Sequence, residues 1–310
     1  MRAIGQDSLG GPEVLKLIEV DRPEPGPSEV LVRVHAAGVN PTDWWHRSTG
    51  GLLGVPVRLG WDVSGTVEAV GLGVTMYQPG DEVYGMPRLP QPAGTYAEYV
   101  TSPARHLARK PRTLSHVEAA ALPVAALTSL QSLMDTAAVR PGQRVLVHAA
   151  AGGVGHLAVQ IAKSLGAHVI GTASAAKHDF VRSLGADEVI DYTTTDFATA
   201  ARDIDVVIDT IGGDYGPRSL RTLRPGGMVV SLASPAEARL ADVAAESGLR
   251  AGFTIVEPDH AGLKALAELA DAGGLRPHIA AVLPLADAAK AHELGESGRT
   301  TGKLVLSVVE

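Results

Sequence analysis

Apolar and polar residues alternate, or nearly so, along three short stretches of the first hundred positions: Val14–Val20, Glu29–His35 and Val63–Val70. A period of two is the signature of half-buried strands. Turns rich in Pro and Gly separate them, such as Pro23-Glu-Pro-Gly-Pro27 and Gln78-Pro-Gly-Asp81. Short strands between such turns predict an irregular barrel over residues 1–122. The pattern turns helical over 115–138. Ser115 and Glu118 make a capping box at its start, and Pro123 breaks the run, leaving a second helix from about Val124. From Arg144 to Glu257, strands and helices alternate. Strands are expected at 145–148, 168–174, 188–190, 205–209, 227–232 and 250–256. Six strands with crossover helices predict an α/β domain built on a doubly wound parallel sheet, over residues 123–257. Residues 258–310 read as a helix, a loop, a second helix and a strand, Lys303–Val308. That strand has no obvious place in the six-stranded sheet, so the tail is assigned back to the first domain.

The most telling stretch is Val145-Leu-Val-His-Ala-Ala-Ala-Gly-Gly-Val-Gly155, which runs on into an apolar helix. It reads as a buried strand, a glycine turn and a helix start. The turn fits A-x-G-x-x-G with Ala150, Gly152 and Gly155. A pyrophosphate needs close backbone approach and a helix N-terminus aimed at it. The backbone of Ala151, Gly152, Gly153 and Val154 is the expected cradle, and Gly155 would let helix and strand pack tightly. A glycine triplet alone is also compatible with a plain strand-to-helix turn. The flanking strand and helix are what make it a dinucleotide site.

The next strand ends Gly171-Thr-Ala-Ser174 with no acid. An NAD site carries an Asp or Glu there to bond the ribose 2′-hydroxyl. Ser174 instead offers a hydroxyl and Lys177 a cation, which suits the 2′-phosphate of NADPH. The plain alternative is an ordinary loop lysine.

Composition narrows the class further. The chain has 310 residues, a net charge of −7 and no basic run, which argues against nucleic-acid binding. Its longest apolar run, near Ala119–Leu127, is interrupted by Pro123 and falls far short of the ~20 residues of a membrane span. Met1-Arg-Ala-Ile-Gly5 lacks a signal-peptide core, so a cytoplasmic location is expected. There is no cysteine, which excludes disulfides and thiolate zinc sites.

Several separate motifs then fall in one order: Ala37-Gly-Val-Asn-Pro-Thr-Asp43, Gly94-Thr-Tyr-Ala-Glu-Tyr99, Leu114–Pro123, Ala150–Gly155 and Ser297-Gly-Arg-Thr-Thr-Gly-Lys-Leu-Val-Leu306. With these the chain resembles the zinc-free quinone oxidoreductases of the medium-chain dehydrogenase/reductase superfamily, the ζ-crystallin-like branch. The resemblance implies a GroES-like barrel completed by the C-terminal segment, a Rossmann domain, an active-site cleft between them, NADPH use and commonly a homodimer. It places Ser174, Lys177 and Tyr192 around the 2′-phosphate and Thr128 near the nicotinamide. It matches Asn40 and Asp43 to a polar pair at the cleft floor. Ser231, Leu232 and Ala233, with Ser234, follow the carboxyl end of a strand, where ligands bind such sheets.

Asn40 could donate to a substrate carbonyl, and Asp43 could orient water or a ribose hydroxyl. Turn chemistry explains the same two residues. Trp44, Trp45 and Trp61 are candidate walls of a pocket for a flat acceptor, with core filling as the alternative. Many relatives carry a tyrosine near Trp45, and its absence here leaves a phenolic proton donor in doubt. Zinc-dependent relatives have a cysteine near position 40 and Gly-His-Glu near 60. Here Asn40 and Gly60-Trp61-Asp62 stand there, so no metal is expected. The reading is hydride transfer from NADPH to a quinone, with reduction of an enoyl or alkenal double bond, or NADPH binding with little turnover, as alternatives. The last predicted strand of the sheet, 251–256, is the expected dimer edge.

Overall fold

The computed structural model describes every residue except 53, 55, 234–238 and 310. The chain divides into two compact units, Met1–Leu127 with Glu257–Glu310, and Thr128–Val256.

The first unit opens with a two-stranded ribbon, β1 (Arg2–Gly5) and β2 (Lys16–Glu19). A 3-10 turn at Pro12–Val14 takes the front of the stretch expected as strand. β3 (Glu29–Val39) leads into α1 (Pro41–Thr49), β4 (Val63–Val70), β5 (Glu82–Gly85), β6 (Tyr99–Pro103), β7 (Leu107–Arg109) and α2 (His116–Ala120). Asn40 and Asp43 form the capping box of α1, with Pro41 in its first turn, and Gly50 ends it at φ 79°. Ser115 and Glu118 cap α2 in the same way. α3 begins at Pro123, where proline costs no hydrogen bond, and runs to Gln131. The division between the units falls inside α3.

The second unit alternates as expected: β8 (Arg144–Val147), α4 (Gly155–Ser164), β9 (His168–Ala173), α5 (His178–Ser183), β10 (Glu188–Asp191), α6 (Phe197–Ala200), β11 (Ile204–Asp209), α7 (Tyr215–Leu220), β12 (Leu223–Ser231), α8 (Leu240–Glu246) and β13 (Arg250–Phe253). The strands form one parallel sheet in the order β10-β9-β8-β11-β12-β13. Leu146, Ile170, Phe197, Ile204, Val207 and Val229 pack its core. Strand order reverses beside β8, so the turn after β8 lies at the switch point where such sheets bind ligands.

The tail adds α9 (His260–Asp271), β14 (Ile279–Pro284), α10 (Ala288–Glu296) and β15 (Lys303–Ser307). β15 pairs antiparallel with β3, Leu306 opposite Ala37, and parallel with β14. β14 lies where a loop was expected. It is the outermost strand of its sheet, and its run Ile-Ala-Ala-Val-Leu-Pro is apolar throughout, without the polar alternation that marks a half-buried strand. Among the described residues, no helix is long and apolar enough to cross a membrane.

Candidate functional site

The glycine turn is tied down at both ends. The N–H groups of Ala149 and Ala150 donate to the Thr172 hydroxyl and carbonyl of β9 at 3.2 and 3.0 Å. Ala149 takes φ 45°, which turns the chain sharply out of β8. Gly152 N–H then donates to Ala149 O at 2.8 Å. A Cβ on Gly155 would lie 2.2 Å from Ala149 O, so only glycine lets α4 start this close to the strand. Ala151 is buried, while Gly152, Gly153 and Val154 stay half-exposed just ahead of α4. The first amides of a helix have no intrahelical acceptor, and they face an anion best. Ser129 of α3 donates to Val154 O at 3.3 Å, a support that the sequence reading missed. Thr128, one residue earlier, is 8% exposed.

β9 ends at Ala173, and Ser174 opens a short 3-10 turn that contains Lys177. Register sets Asp191 of β10 opposite Ala173, which brings Tyr192 to the same sheet edge as Ser174 and Lys177. Tyr192 is 48% exposed, and Ser174 and Lys177 are half-buried. Asp191 is an acid at that edge not anticipated from the sequence. Its carboxylate accepts from the hydroxyl and N–H of Thr193, bonds that hold it below the usual range. Across the sheet, Leu232 N–H donates to Asp209 O at 2.9 Å, just past the end of β12. The Ser231 hydroxyl is buried there without a hydrogen-bond partner among the described residues, Leu232 is half-buried and Ala233 is exposed. Ser234 lies outside the described residues. Half-exposed residues at a helix start, the glycine approach and an unsatisfied hydroxyl at a strand's carboxyl end all fit a dinucleotide.

In the first unit, Asn40 and Asp43 belong to a buried polar cluster. Asn40 N–H donates to one Asp43 oxygen at 2.7 Å and Gly60 N–H to the other at 3.0 Å. The Tyr96 hydroxyl also bonds Asp43. Asp43 is wholly enclosed. It therefore fastens α1 to the segment before β4. Burial and the nearby Asp62 push its carboxyl up to about 7, against the pull of its hydrogen bonds.

The Asn40 side chain donates to Asp62 at 2.8 Å and accepts from the Lys303 ammonium of β15. Lys303 also donates to Val39 O at 3.0 Å and lies 3.6 Å from Asp62. The second Asp62 oxygen accepts from Val124 N–H at 2.6 Å. Burial lowers the Lys303 ammonium and raises the Asp62 carboxyl, while their mutual attraction opposes both shifts. Asn40 keeps 3% exposure, Asp62 none.

A second chain of bonds reaches Asp43 from α10. Arg47, paired with Glu296 at 2.7 Å, donates to His292 Nδ1 at 3.2 Å. An arginine only donates, so the neutral ring carries its proton on Nε2, 3.4 Å from the Tyr96 oxygen. Tyr96 thereby turns its own proton to Asp43.

The three tryptophans separate. Trp61 is fully buried, its N–H on Gln91 O at 2.9 Å and its face against His46. It fills core and offers no open face to a flat acceptor. Trp44 packs on Gly295 and edge-on to His292. Trp45 alone is exposed, at 40%, on the other side of His46.

Comparison with known proteins agrees with this architecture. A family model described as an alcohol dehydrogenase GroES-like domain matches residues 26–112, and one described as a zinc-binding dehydrogenase matches 184–306. The chain is 36% identical to a 2-haloacrylate reductase of a Burkholderia species, over 96% of each. A quinone oxidoreductase structure from Coxiella burnetii superposes with TM-score 0.95 at 40% identity, over 100% of this chain and 99% of that one. The chain belongs to the zinc-free quinone oxidoreductase branch of the medium-chain dehydrogenase/reductase superfamily. The Escherichia coli quinone oxidoreductase, solved with NADPH, superposes with TM-score 0.88 at 31% identity over 99% of this chain and 100% of that one. This branch member is accordingly an NAD(P)H-dependent oxidoreductase. The chain has no cysteine, and no group of three or more His, Asp or Glu among the described residues is placed to hold a metal ion.

Proposed function

We propose that the protein reduces quinones with NADPH, without zinc, by direct hydride transfer. The observation that carries the cofactor choice is the end of β9. Ser174 and Lys177 stand there with no carboxylate at the position that would bond a 2′-hydroxyl. Asp191, one strand over, is engaged by Thr193. A charge-assisted contact to a phosphate is stronger than a neutral hydrogen bond. Lys177→Ala should therefore weaken NADPH by about 10-fold or more and leave NADH nearly unchanged. Fluorescence titration checks it, and equal affinity of the native protein for both cofactors would refute it.

The bound nicotinamide supplies the hydride. The chain's own residues hold and polarise the acceptor. In this reading Asn40 donates its remaining amide N–H to the acceptor oxygen as charge develops there. The exposed face of Trp45 borders a flat ring. Quinones tolerate the resulting charge by aromatising. A second reading, reduction of a conjugated carbon–carbon double bond, is favoured by the similarity to a 2-haloacrylate reductase. Turnover with NADPH across quinones, enones, enals and enoyl thioesters separates the two. NADPH binding without oxidation of any acceptor would leave a binding protein instead.

We further propose a homodimer through residues 251–256. β13 is the outer strand of its sheet, and Ile255 is 47% exposed. An edge strand leaves backbone groups for a symmetry mate. Sedimentation at micromolar concentration should show a dimer; monomer alone would count against it.

A further inference from the structure

The C-terminal strand brings a charged residue to the floor of the first unit. Lys303 is 2% exposed, and its ammonium meets Val39 O, the Asn40 carbonyl oxygen and Asp62. An ammonium only donates, and an ionised carboxylate only accepts. Asn40 lies between one of each. With its oxygen toward Lys303 and its NH2 toward Asp62, both contacts are favourable. Turned over, it would set NH2 against ammonium and oxygen against carboxylate. The amide thus has a single polarity, and the second N–H, the one not used by Asp62, has a single direction. The α1 capping box sets the Asn40 side chain against the Asp43 backbone N–H as well, its other half being the Asn40 N–H on the Asp43 carboxylate.

We infer that Lys303, with Asp62, is a positioning residue that fixes the polarity of the Asn40 amide and so aims its free N–H at the acceptor oxygen. The inference rests on the reading above that Asn40 meets the acceptor. It explains why a buried ion pair, a costly arrangement compared with apolar side chains, occupies a place where core packing alone would suffice.

The test is the double variant Asp62→Asn with Lys303→Met. It removes both buried charges together, so no lone charge is stranded. The amide introduced by Asp62→Asn would keep its oxygen on Val124 N–H and present NH2 to Asn40, which then turns its oxygen inward and loses the outward N–H. The expected result is a kcat lowered by about 10-fold or more, below the full effect of losing an oxyanion donor. The Tm should be native-like or higher, and NADPH affinity unchanged. In an Asn40→Ala background the same pair of changes should lower kcat no further. Lys303→Gln, which keeps a donor for the Asn40 oxygen, should retain most of the native kcat even with a lower Tm. An unchanged kcat in the double variant overturns the inference, as does an equal fall in both backgrounds or a Lys303→Gln loss as large as that of the double variant. If Asn40→Ala itself leaves kcat intact, both this inference and the Asn40 contact fail. If Asn40→Ala lowers kcat and the double variant does not, only the inference fails.

Discussion

Gly155→Ala should nearly abolish dinucleotide binding. The added Cβ would meet Ala149 O at 2.2 Å and Ala149 C and Ala150 Cα at 2.9 Å, all of them backbone. No side chain can swing aside, so α4 must move off the end of β8. The helix N-terminus proposed to face the pyrophosphate moves with it. Overpacking of this kind costs on the order of 1–3 kcal/mol of stability. A misplaced cradle should lower NADPH affinity by about 100-fold, roughly 2.7 kcal/mol. Gly152→Ala separates the two effects. Its Cβ would come no nearer than 3.1 Å to Ala149 O, a clash that a small adjustment relieves. It should keep the native Tm and still bind NADPH poorly, because the methyl would stand in the proposed pyrophosphate cradle, which needs close backbone approach. Native NADPH affinity in Gly155→Ala would show that the turn does not set the cradle.

A second large effect is acid sensitivity. His148 and His292 are fully buried, and burial pushes each down to about 3, helped by Arg218 beside the first and Arg47 beside the second. His35 is pushed down to about 4, by burial first and then by His116. In the unfolded chain these rings take up protons near 6.5. Between about pH 3 and 6.5 the unfolded state therefore binds more protons, and stability rises with pH through that window. The stabilisation is complete above 6.5 and is lost as pH falls toward 3. His148 and His292 each contribute on the order of 4 kcal/mol across it. Asp43 acts in the opposite sense. Its folded value of about 7 lies above the unfolded one, so its contribution falls as pH rises from about 4 to 7. Asp62, also raised by burial, acts in the same sense as Asp43, and the three histidines outweigh these two carboxyls. The Tm should climb from pH 4 to 6.5 and then level. His148→Gln, which can still bond Thr172 and Ser219, should flatten the climb. Calorimetry across pH 4–8 decides it, and a Tm that falls over the acid interval would contradict the assignment of buried neutral rings.

The parallel sheet is legible because its inner strands are buried on both faces and two of its helices end in Gly166 and Gly185 at positive φ. The glycine turn was legible for the same local reason, and so were the caps at Ser115 and at Pro123. What the sequence withheld was long-range. β3 runs on to Val39 because β15, from the far end of the chain, pairs with its end; small residues at 36–38 carry no signal of that. Gly38 is needed because the Asp62 carboxylate and Ala120 O would lie 2.4 Å from a Cβ. Lys303 falls within the Ser297–Leu306 motif, and no spacing links it to Asn40. Trp61 looked like a pocket wall by type alone, and only its burial against His46 shows it to be core. Asp43 looked like a site acid, yet three convergent donors make it a structural anchor. Ser129 stands beside Thr128 on the helix that leads into the second unit, a neighbour the sequence shows.

The central claim is direct hydride transfer from NADPH to a quinone or conjugated carbonyl. Single-turnover reduction with NADPH carrying deuterium at the transferred C4 position tests it most directly. The rate should slow with a quinone, and with an enone the label should appear on the β-carbon. No isotope effect on quinone reduction, together with no label on carbon from any enone, would contradict it.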